Sequence, residues 1–298
     1  MKSIAIIGIG RWGKNLVRDF SRIAKVKICV STGKKDNLLW LKQNYPKIDH
    51  SNDLNQVLTD PKIDAIVIST PIKTHYKIAK AALIAKKNVF VEKPLTQTIK
   101  QTQELIKIAE KNKKSLFVGH VFLYNEIFSK IKDIHEKETI RYANFEWRKL
   151  GTFDEDIFEN LLSHDLALIL ELFGYPQRIK MKNNFGLVTK VDAFSLQLFF
   201  QKCFCNVSID RTSNLTKKTV FFKTNKYSYI WDENVLYRFE KNKNQYKAIF
   251  QTKQTPLERE CKEFVNILKR DVWDINSAKL AKRISKLSLD ISKKIVRF

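Results

Sequence analysis

Residues 4–13 read Ile4-Ala5-Ile6-Ile7-Gly8-Ile9-Gly10-Arg11-Trp12-Gly13. Four consecutive apolar residues suit a strand buried on both faces of a parallel sheet. The glycines that follow impose a tight passage into a helix predicted over 14–24, with Leu16, Val17 and Phe20 on its apolar side. Each glycine has its own reason. Gly8 makes the turn, Gly10 lets the backbone approach a pyrophosphate, and Gly13 lets helix and strand pack closely. The free N–H groups and positive dipole end of the helix then hold phosphate oxygens. This segment is predicted to be a strand–turn–helix unit that binds a dinucleotide, with Arg11 and Trp12 joining the three glycines as candidate cofactor contacts.

The pattern continues as alternating strand and helix. A strand over 26–30 runs into Ser31-Thr32-Gly33-Lys34-Lys35. An NAD site usually has a carboxylate here to accept from the ribose 2′-hydroxyl. Hydroxyls and cations at Ser31, Thr32 and Lys34 favour a 2′-phosphate instead, hence NADP over NAD, unless a longer loop returns Asp36. Strands over 65–68, 88–91 and 115–118 end in Ser69-Thr70-Pro71, Glu92-Lys93-Pro94 and Gly119-His120, separated by helices over 74–85 and 99–111. Ligands bind beyond the carboxyl ends of parallel strands, so these three ends are expected to face one crevice.

With Gly8-x-Gly10-x-x-Gly13, Ser69-Thr70-Pro71 followed by His75, Glu92-Lys93-Pro94, Gly119-His120 and His164-Asp165 in this order, the chain resembles the glucose-fructose oxidoreductase / inositol dehydrogenase / rhizopine-catabolism (Gfo/Idh/MocA) family. The resemblance implies an α/β protein: a Rossmann dinucleotide-binding domain over 1–120, then an α/β domain over 121–298 with an open, mainly antiparallel sheet. That second domain would bind substrate and form a subunit interface, giving a homodimer or homotetramer, and the C-terminal helices are free to pack back on the first domain. The resemblance also implies cofactor contacts from Ser69, Thr70, Pro71, His75 and Glu92, and places Lys93 beside the nicotinamide and the reacting carbinol, before a commonly cis proline.

The second half supports this division independently. Strands over 140–147, 178–185, 193–200, 204–209, 219–224 and 228–231 follow mostly without intervening helices, which predicts antiparallel pairing. Helices are expected over 126–134, 157–173, 257–270 and 277–296.

Oxidising a secondary alcohol needs a group that accepts the hydroxyl proton within hydrogen-bond reach. Lys93, desolvated beside a cationic ring, and His164, which titrates near neutrality, are the two catalytic candidates. The family usually has an aspartate one helical turn before this histidine; here the position is Asn160, which orients a neighbour without supplying charge. Either Lys93 is the principal base and His164 binds substrate, or activity is reduced, and a catalytically silent dinucleotide- and sugar-binding sensor stays open as the alternative. Tyr124 and Asn125 are candidates for sugar hydroxyls or for packing at the domain junction, and Arg148 for a diphosphate. The segments around them resemble family members that oxidise nucleotide-linked sugars, so the expected substrate is a sugar or nucleotide-sugar.

Composition closes off other classes. The chain has 298 residues, 44% hydrophobic, with 55 Lys and Arg against 31 Asp and Glu and a net charge of +24. Binding to a nucleic-acid backbone needs those cations clustered, and the lysines are scattered. No nucleic-acid partner is expected. Four cysteines without metal spacing fit a reducing cytoplasm and no bound metal; Cys203 and Cys205 are expected on one strand face. No window approaches the apolar length of a membrane span.

Overall fold

The computed structural model describes residues 2–31, 33 and 35–295. Thr32 and Lys34, two of the candidate cofactor residues, lie outside the described residues. The chain divides into two compact units. One takes the chain up to Val121 together with Leu257–Lys282; the other takes Phe122–Pro256 together with the chain from Arg283 onward.

The first unit alternates strand and helix: β1 (Ser3–Ile7), α1 (Arg11–Ser21), β2 (Lys25–Val30), α2 (Lys35–Asn44), β3 (Asp49–Ser51), α3 (Leu54–Thr59), β4 (Ala65–Ile68), α4 (Ile72–Ile84), β5 (Asn88–Glu92), α5 (Ile99–Asn112) and β6 (Leu116–Gly119). The six strands form one parallel sheet in the order β3-β2-β1-β4-β5-β6. The order reverses between β1 and β4, which is where an open α/β sheet leaves a crevice at its carboxyl edge. Every residue of β1 and of β4 is buried, as continuous apolar runs covered on both faces require. On one face Ile66, Ile68, Ala79, Leu83 and Leu105 belong to a core that also takes in Ile275, Ala278 and Ala281 from late in the chain. On the other, Phe20, Phe90, Phe117 and Phe264 pack with ring centroids 5.2–6.2 Å apart, favouring the edge and offset geometries of aromatic pairs.

The second unit contains a 3₁₀ turn (Val121–Tyr124), α6 (Glu126–Glu138), β7 (Ile140–Arg148), a π-helical turn (Phe158–Leu162), α7 (Ser163–Phe173), β8 (Arg178–Phe185), β9 (Ala193–Phe199), β10 (Phe204–Asp210), β11 (Lys217–Thr224), β12 (Ser228–Asp232), β13 (Val235–Glu240) and β14 (Gln245–Gln251). The strands make an eight-stranded sheet in the order β14-β13-β12-β11-β7-β10-β9-β8. The sheet is mixed, not wholly antiparallel, because β7 and β10 pair in parallel at its centre. The chain leaves β7 for α7 and two further strands before returning through β10, which is how the two come to run side by side in the same direction. Phe128 and Ile131 of α6, Leu168 of α7, and Ile140, Ala143, Phe145, Val220 and Phe222 of the sheet line one small apolar gap. This is the helix-covered face. The opposite face is half-exposed and mixes aromatic with polar side chains: Tyr142 packs against Phe204 and Phe221, while Gln197 donates to Asn206 at 3.0 Å and Asn206 to the Tyr142 hydroxyl at 3.0 Å. Cys205 is buried on β10, while Cys203 precedes that strand and is partly exposed.

The chain closes with α8 (Pro256–Arg270) and α9 (Asn276–Ser292). Leu257, Cys261, Phe264, Val265 and Leu268 give α8 an apolar stripe at helical spacing, and Phe264 brings that stripe into the aromatic layer of the first unit. Among the described residues no helix is long and apolar enough to cross a membrane.

Candidate active site

The glycine loop has three distinct geometries. Gly8 has φ +92°, and a Cβ there would meet Thr70 Cγ2 at 2.8 Å and the Ser69 backbone at 3.0 Å. A Cβ on Gly13 would lie 2.1 Å from the Gly8 carbonyl oxygen and 2.8 Å from Ser69 Oγ. The protein itself therefore requires both glycines. Gly10 is different: a Cβ there meets nothing within 4 Å among the described residues. Its missing side chain leaves open space above the start of α1, where Gly10 is the N-cap, makes no side-chain cap and is followed by no acidic residue in the first turn. That cradle fits a phosphate on free backbone N–H groups. Arg11 and Trp12 are the exposed first residues of this helix. Ser69 closes the loop from β4, donating its hydroxyl to the Gly8 carbonyl at 2.8 Å, and the Gly8 N–H donates to Val30 at 2.8 Å. Ser31, beyond β2, accepts from the Gly33 N–H at 3.2 Å.

Beyond β4, Pro71 N-caps α4. Thr70 is tied to it, since the Thr74 hydroxyl reaches both the Thr70 hydroxyl and the Pro71 carbonyl at 2.7 Å. His75, buried one turn into α4, has Nδ1 2.9 Å from the Pro94 carbonyl and Nε2 2.7 Å from the Thr70 carbonyl. The ring thus bridges the β4 loop and the Glu92-Lys93-Pro94 turn. Burial holds its pKa below the ordinary value, against the pull of the two carbonyls.

The Lys93–Pro94 bond is cis. Around Lys93 the first unit gathers a compact set of ionisable groups. Glu92 accepts the Trp12 indole N–H, and its oxygens sit so close to Gly119 that a Cβ there would lie 3.2 Å from each. Burial pushes Glu92 up to about 7, against the pull of Trp12 and Lys93. His120 is 4% exposed, with neither ring nitrogen hydrogen-bonded among the described residues. Burial, reinforced by the charge of Lys93, pushes it down to about 3. Glu260 of α8 is fully buried. Burial and then the neighbouring Glu92 push it well above the carboxylate range, while the His120 backbone pulls the other way. A buried carboxyl near Glu92 and a buried imidazole near Lys93 are thereby kept neutral. Glu260 was not among the expected site residues, although its signal is in the sequence: it falls on the apolar stripe between Leu257 and Phe264.

In the second unit Tyr124 ends the 3₁₀ turn, half-buried. Asn125 is buried and its side chain caps α6, accepting from the Ile127 N–H at 2.8 Å. Arg148, at the end of β7, is half-exposed and paired with Glu146 at 2.8 Å. Asn160 lies within the π-helical turn and His164 is the second residue of α7. A π turn inserts extra chain into the helical ladder, so Asn160 and His164 are not related by one plain α-helical turn. The His164 ring stands edge-on to Phe122 at 5.0 Å and against Trp147 at 5.5 Å. Next to it, buried Asp165 is ion-paired with Lys218 of β11. Burial lowers Lys218 and raises Asp165, and their mutual attraction opposes both shifts. Lys218 also escaped the sequence reading, yet it alternates in phase with the buried Val220 and Phe222.

Residues 2–120 match the profile of the GFO_IDH_MocA family, described as an oxidoreductase family with an NAD-binding Rossmann fold. Through these residues the chain is similar to the Gfo/Idh/MocA oxidoreductases. Curated relatives with which it aligns include the uncharacterized oxidoreductase YdgJ of Escherichia coli K12, 33% identical over 150 residues (46% of this chain, 43% of the relative). Another is the scyllo-inositol 2-dehydrogenase (NADP(+)) IolW of Bacillus subtilis 168, 27% identical over 154 residues (47% and 43%). The chain spans less than half the length of either. Over the whole chain the fold is similar to that of UDP-N-acetylglucosamine 3-dehydrogenase GnnA from Acidithiobacillus ferrooxidans, with TM-score 0.89 and 19% identity, covering 98% of this chain and 97% of that one. Among the described residues no cluster of His, Cys, Asp and Glu could hold a metal ion.

Proposed function

We propose that the protein is an NAD(P)-dependent oxidoreductase that transfers a hydride between the nicotinamide and a secondary alcohol carbon of a sugar or nucleotide-sugar. The observation that carries the reading is the cradle at Gly10, open where Gly8 and Gly13 are closed, on the same sheet edge as the Glu92-Lys93-Pro94 turn. Relatives named for inositol and UDP-sugar oxidation support the substrate class.

Gly8, Gly10, Gly13 and the first N–H groups of α1 would hold the pyrophosphate, and Ser69, Thr70 and Pro71 would lie along the dinucleotide, with His75 bracing the Lys93 turn. The bound cofactor supplies a two-electron acceptor. Lys93 takes the hydroxyl proton as the carbinol C–H bond gives up its hydride and the C=O bond forms, then returns that proton to solvent. A neutral His120 and an incompletely ionised Glu92 keep the pocket around Lys93 from holding a fixed carboxylate that would trap the ammonium. In the second unit His164, Asn160, Tyr124 and Arg148 are assigned to substrate. The cofactor is assigned as NADP: β2 ends without a carboxylate, and the NADP-dependent relative is consistent with this. The open face of the eight-stranded sheet, with Tyr142, Phe199, Phe204 and Phe221 among its polar residues, is assigned to self-association.

Asn160 favours one other reading, a dinucleotide- and sugar-binding sensor that does no chemistry, because an amide supplies no charge to His164. The deciding experiment incubates the purified protein with NADP or NAD and UDP-N-acetylglucosamine, scyllo-inositol and related sugars, and follows nicotinamide absorbance. Turnover that disappears in Lys93→Met with cofactor binding retained supports the dehydrogenase. Tight cofactor binding without turnover on any of these substrates supports the sensor.

A further inference from the structure

Lys218 stands where an ordinary strand would place an apolar side chain. Alternation along β11 puts it in phase with Val220 and Phe222, which are 5% and 1% exposed, and its own side chain is only 18% exposed. An ammonium withdrawn this far from water needs compensation, and three groups provide it. The Asp165 carboxylate is its ion-pair partner. The β7–β11 register sets Lys218 directly opposite Trp147, so its Nζ lies 3.7 Å from the centre of that ring, and it is 4.7 Å from the centre of Phe122. Cations bind aromatic faces at such distances, more strongly when desolvated.

The same two rings hold His164. Phe122 meets the imidazole edge-on at 89° and Trp147 meets it at 52°. Asp165 follows His164 directly in the first turn of α7, so the group that anchors Lys218 is the imidazole's neighbour in the chain. The contacts close on themselves: His164 to Asp165 along the helix, Asp165 to Lys218 by charge, Lys218 to Trp147 and Phe122, and both rings back to His164. All five residues belong to the second unit.

We infer that Lys218 is a positioning residue for His164: locked to Asp165 and seated on Trp147 and Phe122, it fixes the aromatic walls and the helix turn that set the direction of the imidazole. The catalytic meaning of this arrangement rests on the assignment of His164 to substrate. The positioning itself does not. Asparagine at position 160 supplies no charge to steer the ring, and the Lys218 clamp supplies an orienting framework through the two rings it shares with His164.

The test reads the imidazole, not turnover. Protein labelled with ¹⁵N-histidine, with the His164 ring signals assigned from His164→Gln, is compared at pH 8 for wild type, Lys218→Met, Lys218→Arg and the double variant Lys218→Met/Asp165→Asn. The expected result is one dominant His164 tautomer in wild type, a shifted tautomer ratio and broadened signals in Lys218→Met, and recovery in Lys218→Arg, which restores the charge pair and the ring contact. If Lys218→Met does not fold, the double variant, which leaves no orphaned carboxylate, is read in its place. His164 ring signals that superimpose on wild type in a cooperatively melting Lys218 variant overturn the inference, as does Lys218→Arg behaving like Lys218→Met. A shifted tautomer together with a fully active His164→Gln would leave the positioning intact and refute only the substrate role of His164.

Discussion

The Trp12 indole N–H donates to the Glu92 carboxylate, joining the first turn of α1 to the end of β5. The partnership links the turn proposed to cradle phosphate to the residue before Lys93, so the glycine loop and the proposed acid/base are held as one piece. Trp12→Phe keeps the ring and deletes the donor. A hydrogen bond to a charged group contributes about 1.5–3 kcal/mol, and the expected outcome is a loss at the lower end of that range in urea unfolding, with weaker NADPH binding. An unfolding midpoint and an NADPH affinity both equal to wild type would show that the contact couples nothing.

The three glycines separate folding from binding. Gly13→Ala places a methyl 2.1 Å from the Gly8 carbonyl oxygen, so the first β-α-β unit must deform. Gly10→Ala meets nothing within 4 Å among the described residues. Gly10→Ala is expected to melt within a few degrees of wild type yet lose NADPH affinity by roughly tenfold or more, about 1.4 kcal/mol, while Gly13→Ala loses both. Calorimetry with and without NADPH distinguishes the two, and undiminished binding by Gly10→Ala would sink the cradle assignment.

Two buried groups of the first unit, His120 and Glu260, carry opposite pH signatures. His120 has its folded pKa lowered from 6.5 to about 3. The unfolded chain therefore binds the extra proton first as pH falls, and stability from this group is lost going down from about 6.5. Glu260 is raised, so the folded state keeps a proton that the unfolded chain releases, and stability is lost as pH rises above the ordinary carboxylate value. Each slope is at most about 1.4 kcal/mol per pH unit. Relative to wild type, His120→Gln should gain stability toward acid and Glu260→Gln toward base, measured as urea midpoints from pH 4 to 9. Parallel curves for wild type and both variants would contradict the assigned burial.

Arg211, 2% exposed, bonds to Asp192 at 3.0 Å, to the carbonyls of Thr152, Glu155 and Val191 at 3.0, 2.6 and 3.2 Å, and to the Thr189 hydroxyl at 2.6 Å. Although burial works the other way, hydrogen bonds from Thr189, Leu187 and Val188 hold the Asp192 carboxyl well below the usual range. The guanidinium fixes the loop that leads into the π-helical turn before His164. Arg211→Met should destabilise the protein by about 3–5 kcal/mol, because it strands a buried carboxylate and three carbonyls. A loss under 1 kcal/mol in chemical denaturation would count against this account.

Much of the first unit was legible because its signals are local. Gly8, Gly10 and Gly13 follow a buried strand, and the ends at Ser69, Glu92 and Gly119 belong to strands of one parallel sheet, as periodicity predicted. In the second unit β13 and β14 went unread: β14 is almost wholly exposed and shows no alternation of burial, so period two had nothing to register. The helix expected over 157–173 exists, but its first turn is π, and no residue spacing announces that.

What the sequence determined by itself is what depends on neighbours within about one turn or one strand: the glycine cradle, the alternation that builds each strand, the position of Lys93 at a strand end and of His164 near a helix start. Only the tertiary structure decided that β7 pairs in parallel with β10, that Lys218 stands across from Trp147 with Asp165 as its counter-charge, and that Glu260 is buried near Glu92. Strand register and helix docking are set by which apolar surfaces bury one another over long separations, and that choice assigns partners to the buried charges.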